Sequence, residues 1–402
     1  MNSFTSNSDV SAQMHEHCGR YLLIFLLVLA LGALPLIGNY VLLERSGEYL
    51  PLREIVARQR EHAGPCLYGS AVHSDFFHYK LEGYRQTKPK IAAVGSSRVM
   101  QLRQSYFTEP FYNLGGGITS VDGAEHLIRE MLRDHRPDHL IVGLDYWWFL
   151  EESRQPVKTP KPPEEKPRRH LSSVALPFTW LWEGRLNLRE YTNLLLHGTQ
   201  ARGTCAIGVR AIINRSGFGS DGSHYYDPIY RPGTSIKTAE RFGRTLEMIR
   251  NGEDVYRHRQ TVRMDEVERF LTLLGSVKAG GTHVTIFVPP LPPIFQDALE
   301  ARPQEYAFLQ KIFDSFAKTE FSFFNFHDPK TIGTNDCEFV DATHGDHIAF
   351  ARVVKGMLAD PGLQKVIDQE TVENTVATGS PPGTQSAMCD PIENPLLKAW
   401  TL

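Results

Sequence analysis

The sequence is poor in cysteine, with 5 among 402 residues, and its 16 histidines never pair with cysteines at zinc-ligand spacing. That argues against a structural zinc module. The cysteines that follow the first apolar run, Cys66, Cys205, Cys337 and Cys389, could pair in an oxidising compartment, but their spacing shows no disulfide framework. Charge of one sign is also lacking: the formal net charge is −3, with no basic block and no interleaving of aromatic and basic residues. Nucleic acid is therefore not an expected partner. At 41% hydrophobic and 22% charged the composition is that of an ordinary globular protein, long enough for one large core or two smaller ones.

One segment departs from that average. Tyr21–Leu43, YLLIFLLVLALGALPLIGNYVLL, carries no charge. At about 1.5 Å per residue it spans roughly 34 Å as a helix, enough to cross a bilayer. Pro35 and Asn39 are tolerable in such a helix. The run exceeds the roughly 7–15 apolar residues of a cleaved signal peptide, so an uncleaved single-pass anchor is expected. Arg20 precedes the run, whereas Arg45, Arg53, Arg58 and Arg60 follow it. Taken alone, the positive-inside rule would leave the large domain in the cytoplasm.

The rest of the chain divides by composition. Residues 1–20 read as a polar tail, cytoplasmic where the large domain lies outside, and 21–43 as the anchor. Residues 44–86 connect, with a helix around Leu52–His62. An α/β pattern opens at residue 87 with apolar strands at Lys90–Val94, Phe111–Leu114 and His139–Asp145, and a helix over Val121–Asp134 that Arg136-Pro137 stops. It resumes over 261–362. There Met264–Ala279 has a helical apolar face, HVTIFVPP (His283–Pro290) is a strand, and Gln304–Ala317 is a helix. Phe321–Phe326 forms a fifth strand and Ile348–Leu358 the last clear helix. Strands alternating with helices predict a five-stranded parallel sheet covered on both faces. Between the halves, 151–260 reads as a large insertion, a Pro-rich charged loop (Pro156–Arg169) followed by a lid or substrate-binding subdomain. Residues 363–402 read as a C-terminal tail.

In an open parallel sheet, function gathers at the carboxyl ends of the strands. Three features fall there: GSSR (Gly95–Arg98), NLGGG (Asn113–Gly117) and FVDATHGDHIAF (Phe339–Phe350). A serine hydroxyl becomes a nucleophile when a histidine takes its proton, and that histidine needs a carboxylate to hold its tautomer. Asp341 and His344 have the spacing for such a pair within one loop. Taken singly, each feature has a plainer explanation: a turn with a capping serine, a glycine turn, a helix cap. Their common place at one sheet edge favours catalysis.

On these blocks the chain resembles the SGNH (GDSL-like) hydrolases and acyltransferases, over roughly residues 88–150 and 264–360. Their Gly-Asp-Ser block matches VGSS (Val94–Ser97), which makes Ser97 the nucleophile and places Ser96 where the family has aspartate. The resemblance implies a three-layer α/β/α, flavodoxin-like fold, with His344 as general base and then acid, and Asp341 orienting it. The oxyanion hole would be the N–H groups of Ser97 and of Gly116 or Gly115. The family's asparagine of the third block is missing from GLDYWW (Gly143–Trp148). A Gly-Ser-Ser block behind an anchor is similar to envelope proteins that move D-alanine onto teichoic acids or acetyl groups onto exopolysaccharides. Such a protein would sit in the inner (cytoplasmic) membrane with its catalytic domain outside. It would act on a cell-envelope glycan without a metal or dissociable cofactor, and be fed by a multipass membrane acyltransferase. The alternative is a non-catalytic glycan-binding or scaffold protein that kept the fold.

Arg98 could hold an anionic substrate group, although a structural salt bridge is the plainer reading. Asp145 could line the pocket, and Tyr146, Trp147 and Trp148 could stack on sugar rings. Asp346 and His347 form a second acid–histidine pair better placed for capping or packing. In DGSHYYDP (Asp221–Pro228), His224 and the tyrosines could enter the site from the insertion, but a plain loop is the better reading.

Overall fold

The computed structural model describes residues 7–62, 64–73, 76–151, 170–200, 205–226, 229–378 and 388–392. The Pro-rich loop Pro156–Arg169 and the end of the C-terminal tail lie outside them. The chain begins with α1 (Asn7–Arg45), whose stretch from Tyr21 to Ile37 is almost wholly exposed and long and apolar enough to cross a membrane. From Asn39 onward the same helix enters the protein, with Asn39, Leu42 and Leu43 fully buried. The expected span Tyr21–Leu43 therefore has two parts, one free and one docked.

α2 (Leu52–Glu61), β1 (Cys66–Tyr68) and α3 (Phe76–Thr87) follow. The first α/β units are β2 (Ile91–Val94), β3 (Phe111–Asn113), α4 (Val121–Asp134) and β4 (His139–Gly143). The inserted region supplies α5 (Leu171–Trp182), α6 (Leu188–His197), β5 (Cys205–Ile207) and α7 (Val209–Asn214). It continues with β6 (Gly217–Phe218), β7 (His224–Tyr225), β8 (Ile229–Lys237) and α8 (Thr238–Asn251). The second half contains α9 (Met264–Ala279), β9 (His283–Val288), α10 (Pro293–Glu300), α11 (Ala307–Ala317) and β10 (Ser322–Asn325). α12 (His347–Gly356), α13 (Gln369–Ala377) and β11 (Met388–Ile392) close the described chain.

The central sheet is five-stranded and parallel, in the order β3-β2-β4-β9-β10. Strand alternation divides its side chains between two cores. Ala92, Val94, Leu140 and Val142 face a core shared with α4, α9 and α11, while Ile91, Ala93 and Ile141 face one shared with α12 and α13. All five strands lie within the segments expected from the apolar runs.

The connecting region and the insertion depart from expectation: they are not separate pieces. β1, from the connecting region, lies inside a second sheet of order β5-β1-β6-β7 whose other strands come from the insertion. Each strand has two or three residues, too few for alternation to register in the sequence. The insertion also feeds the main core, where Phe242, Ile249 and Tyr256 are buried. The C-terminal region is corrected too. α13 buries Val372 against the main domain, which a helix of under three turns and mostly polar composition did not signal.

Cys66 and Cys205 occupy directly paired positions on β1 and β5 and form a disulfide that closes 139 residues of chain. Non-reducing peptide mapping of protein exported to an oxidising compartment is expected to recover the linked pair. Cys66→Ala is expected to lower stability by about 2–4 kcal/mol, read as a shift in the denaturation midpoint.

Candidate active site

The turn after β2 is built around Gly95, at φ +156, where an added Cβ would stand 2.8 Å from Val99 Cγ1 and 3.0 Å from the Gly143 carbonyl. Glycine lets β2 end against β4 and turn at once into a 3-10 turn over Ser97–Val99. Ser96 caps that turn, its Oγ accepting from the Arg98 N–H at 3.1 Å. Asn113, fully buried at the end of β3, holds the turn from below: its Nδ2 donates to the carbonyls of Val99 (2.9 Å) and Leu102 (2.8 Å). Ser97 is left half-buried and turned to the loop before α12.

That loop closes on itself. The Val340 N–H donates to the His344 carbonyl at 2.8 Å, and Asp341 Oδ1 accepts from the N–H groups of Thr343 and His344, both at 2.9 Å. The same carboxylate lies 2.7 and 2.8 Å from His344 Nδ1, and His344 Nε2 lies 2.7 Å from Ser97 Oγ. With the carboxylate accepting, Nδ1 carries the proton and Nε2 is the acceptor for the serine hydroxyl. Burial pushes the Asp341 carboxyl up, but the His344 ring and the two N–H donors outweigh it and hold the group at about 2. Asp341 is thus ionised across the whole range in which proteins are assayed.

Buried charges support the loop. Glu338 pairs with Arg352 at 3.0 Å, and burial still pushes its carboxyl up to about 7 against that partner. Asp346 donates its N–H to the Glu338 carbonyl and caps α12 by accepting from the N–H groups of Ile348 and Ala349. The second acid–histidine pair is therefore placed as a cap: Asp346 starts α12, and the His347 carbonyl accepts from Tyr106 Oη.

The other residues singled out from the sequence lie around this centre in different roles. Gly115 and Gly116 are near the turn, but their N–H groups are engaged: Gly115 donates to Asn113 Oδ1 at 2.7 Å and Gly116 to the Gly95 carbonyl at 3.1 Å. The Ser97 N–H has no acceptor among the described residues. Arg98 does not reach solvent. It pairs with Asp145 at 2.9 Å and donates to the carbonyls of Pro289 (2.7 Å) and Pro290 (3.0 Å), so it ties the ends of β2, β4 and β9 together beside Ser97. Burial raises the Asp145 carboxyl even against that guanidinium. Trp148 is a core residue packed on Phe270, and Tyr146 is buried with its hydroxyl on the Val255 carbonyl, whereas Trp147 is half-exposed with its ring beside Arg98. Of the aromatic cluster, then, only Trp147 keeps an open face.

Sequence reasoning preferred a plain loop for DGSHYYDP, yet Tyr226 lies beside His344, the rings tilted at 38° with centroids 5.8 Å apart, and His224 backs it at 4.2 Å. The anchor of this loop is buried Lys80, whose Nζ donates to the carbonyls of Asn113 (3.0 Å) and Gly222. No motif marks Lys80, because its partners are backbone groups far along the chain. Burial lowers its pKa to about 7. Between pH 7 and the unfolded value the unfolded chain binds a proton that the folded one has lost, so this group makes stability rise with pH there. The expected result is an upward drift of the midpoint from pH 7 to 9 that is absent in Lys80→Met.

Beside the site opens a cleft of about 770 Å³ whose lining includes His73, Trp180, Arg185, Arg210, Tyr226 and Val340. Tyr226 and Val340 border His344, so the cleft leads from the inserted subdomain to the loop that carries Asp341 and His344. No family model, curated protein or solved structure matches the chain.

Proposed function

We propose that the chain is a membrane-anchored serine O-acyltransferase or esterase of SGNH type, acting outside the cytoplasm on a cell-envelope polysaccharide. The observation that carries this reading is the unbroken relay from Ser97 Oγ through His344 to Asp341, with contacts of 2.7 Å at both ends. Ser97 Oγ attacks the acyl carbonyl while His344 Nε2 takes its proton. The same proton passes to the leaving oxygen as the acyl–enzyme ester forms. A sugar hydroxyl, or water, then gives its proton to Nε2 and attacks the ester, and His344 returns the proton to Ser97. The Ser97 N–H serves the oxyanion.

Three further features support the reading. The strand order places the first strand of the sheet between the second and third, the 2-1-3-4-5 arrangement of flavodoxin-like folds. The Cys66–Cys205 disulfide favours an oxidising compartment over the side that the flanking arginines would choose. The cleft extends to Tyr226 and Val340 beside His344, which suits approach of a glycan, and a multipass membrane acyltransferase is the natural acyl donor where acyl-CoA is absent. The second reading, a scaffold or glycan-binding protein without turnover, is favoured by the engaged N–H groups of Gly115 and Gly116, which leave one free oxyanion donor in hand.

Rapid mixing of the purified chain with p-nitrophenyl acetate separates them. The enzyme reading predicts a burst of one nitrophenolate per chain and label on Ser97 that added oligosaccharide removes faster than water. A chain that gives neither burst nor label is the scaffold.

A further inference from the structure

Outside α1, every large hydrophobic side chain exposed among the described residues lies on one hairpin: Phe178 and Trp182 on α5, Leu188 and Leu196 on α6. Trp182 is 92% exposed and Leu188 72%. Phe178 and Trp182 are one helical turn apart, and Leu188 and Leu196 two turns apart with Thr192 between them, so α5 presents an apolar face and α6 two leucines to the outside. α5 contains no charged residue; Glu183 follows it and pairs with Arg185 at 2.9 Å, and Arg189 lies in the first turn of α6. An apolar, tryptophan-bearing face bordered by charged side chains suits the boundary between headgroups and acyl chains.

The hairpin also sits where α1 leaves its free stretch. Asn39 donates to the Val174 carbonyl of α5 at 2.8 Å and accepts from Tyr191 Oη of α6 at 2.9 Å; Arg45 donates to the Leu195 carbonyl at 2.8 Å. The free stretch Tyr21–Ile37 rises roughly 25 Å, short of the roughly 30 Å of a hydrocarbon core. The missing depth corresponds to the part of α1 that α5 and α6 already enclose. Seating the span fully therefore draws the hairpin into the bilayer surface.

We infer that the α5–α6 hairpin is a second membrane contact, resting in the interface of the same bilayer that α1 crosses. This rests on α1 acting as an anchor, as proposed above. Trp180, Arg185 and Leu186 of the hairpin also line the catalytic cleft, so the contact places the mouth of that cleft at the membrane surface. The site would then meet an acceptor or donor presented at the bilayer rather than one diffusing in bulk.

The test uses the full-length chain in phosphatidylcholine vesicles carrying a nitroxide near the glycerol end of one acyl chain. Tryptophan quenching by this lipid is compared between the native chain and Trp182→Phe, with Phe25→Trp in the Trp182→Phe background as a reporter of α1. The inference predicts that the native chain is quenched, that Trp182→Phe loses most of that quenching, and that Phe25→Trp is also in contact with lipid. Quenching of Phe25→Trp with none attributable to Trp182 overturns the hairpin contact, leaves the anchor standing and points to a protein partner on this face. Loss of both signals overturns the anchor as well.

Discussion

Ser97→Ala is expected to reduce acyl turnover by a factor on the order of 10⁴–10⁶ while leaving the unfolding midpoint unchanged. The hydroxyl's one hydrogen-bond partner among the described residues is His344 Nε2, so its removal empties a reactive position without disturbing packing. Ser96→Ala is expected to do the opposite. It removes the cap on the 3-10 turn, a loss of about 1 kcal/mol in stability, and keeps the nucleophile. His344→Ala should match Ser97→Ala. Asp341→Asn should cost on the order of 10⁴, because an amide at that position no longer enforces the Nδ1-protonated tautomer. Since Asp341 is held at about 2, its charge does not titrate in the assay range and contributes no acid limb to the rate profile. Steady-state rates with a chromogenic ester, beside thermal melts of each variant, check the set.

The largest effect on stability is expected at Arg98. Arg98→Met leaves the buried Asp145 carboxylate and the Pro289 and Pro290 carbonyls without their shared donor, at a cost of about 3–5 kcal/mol. Arg98→Lys should recover little, since one ammonium cannot serve three strand ends in the fork geometry of a guanidinium. The variant's pH dependence has a defined sign. Asp145 is already raised by burial, and without Arg98 its folded pKa rises further above the unfolded value. The folded state then binds the extra proton, so Arg98→Met should gain stability relative to wild type as pH falls from neutrality. Urea denaturation at pH 5 and pH 7.5 reads this directly.

The central sheet was legible because its strands are short apolar runs bounded by glycine, proline or charge, and because parallel pairing needs no other signal. The Ser97, Asp341 and His344 positions were legible for the same reason: each lies at a strand end or helix start that the pattern located. The second sheet was not, because pairs such as Gly217–Phe218 with His224–Tyr225 are too short to show a period. The oxyanion assignment to Gly115 and Gly116 illustrates a different limit. A glycine-rich turn shows that the backbone can approach a substrate, but whether its N–H groups are free depends on what else faces them. Here the Asn113 amide and the Gly95 carbonyl do. Tyr226 and Lys80 were hidden because their partners are distant in sequence, and Arg98 was ambiguous until Asp145 and the two proline carbonyls were seen around it.

The account stands most directly on the reactivity of one hydroxyl. Full-length protein treated with a fluorophosphonate, then digested and mapped by mass spectrometry, should carry a single phosphonyl adduct on Ser97. That adduct should vanish in Ser97→Ala and His344→Ala and persist in Ser96→Ala. An unmodified Ser97 in folded protein, or an adduct on Ser96 instead, would contradict the assignment of a working Ser97–His344–Asp341 relay.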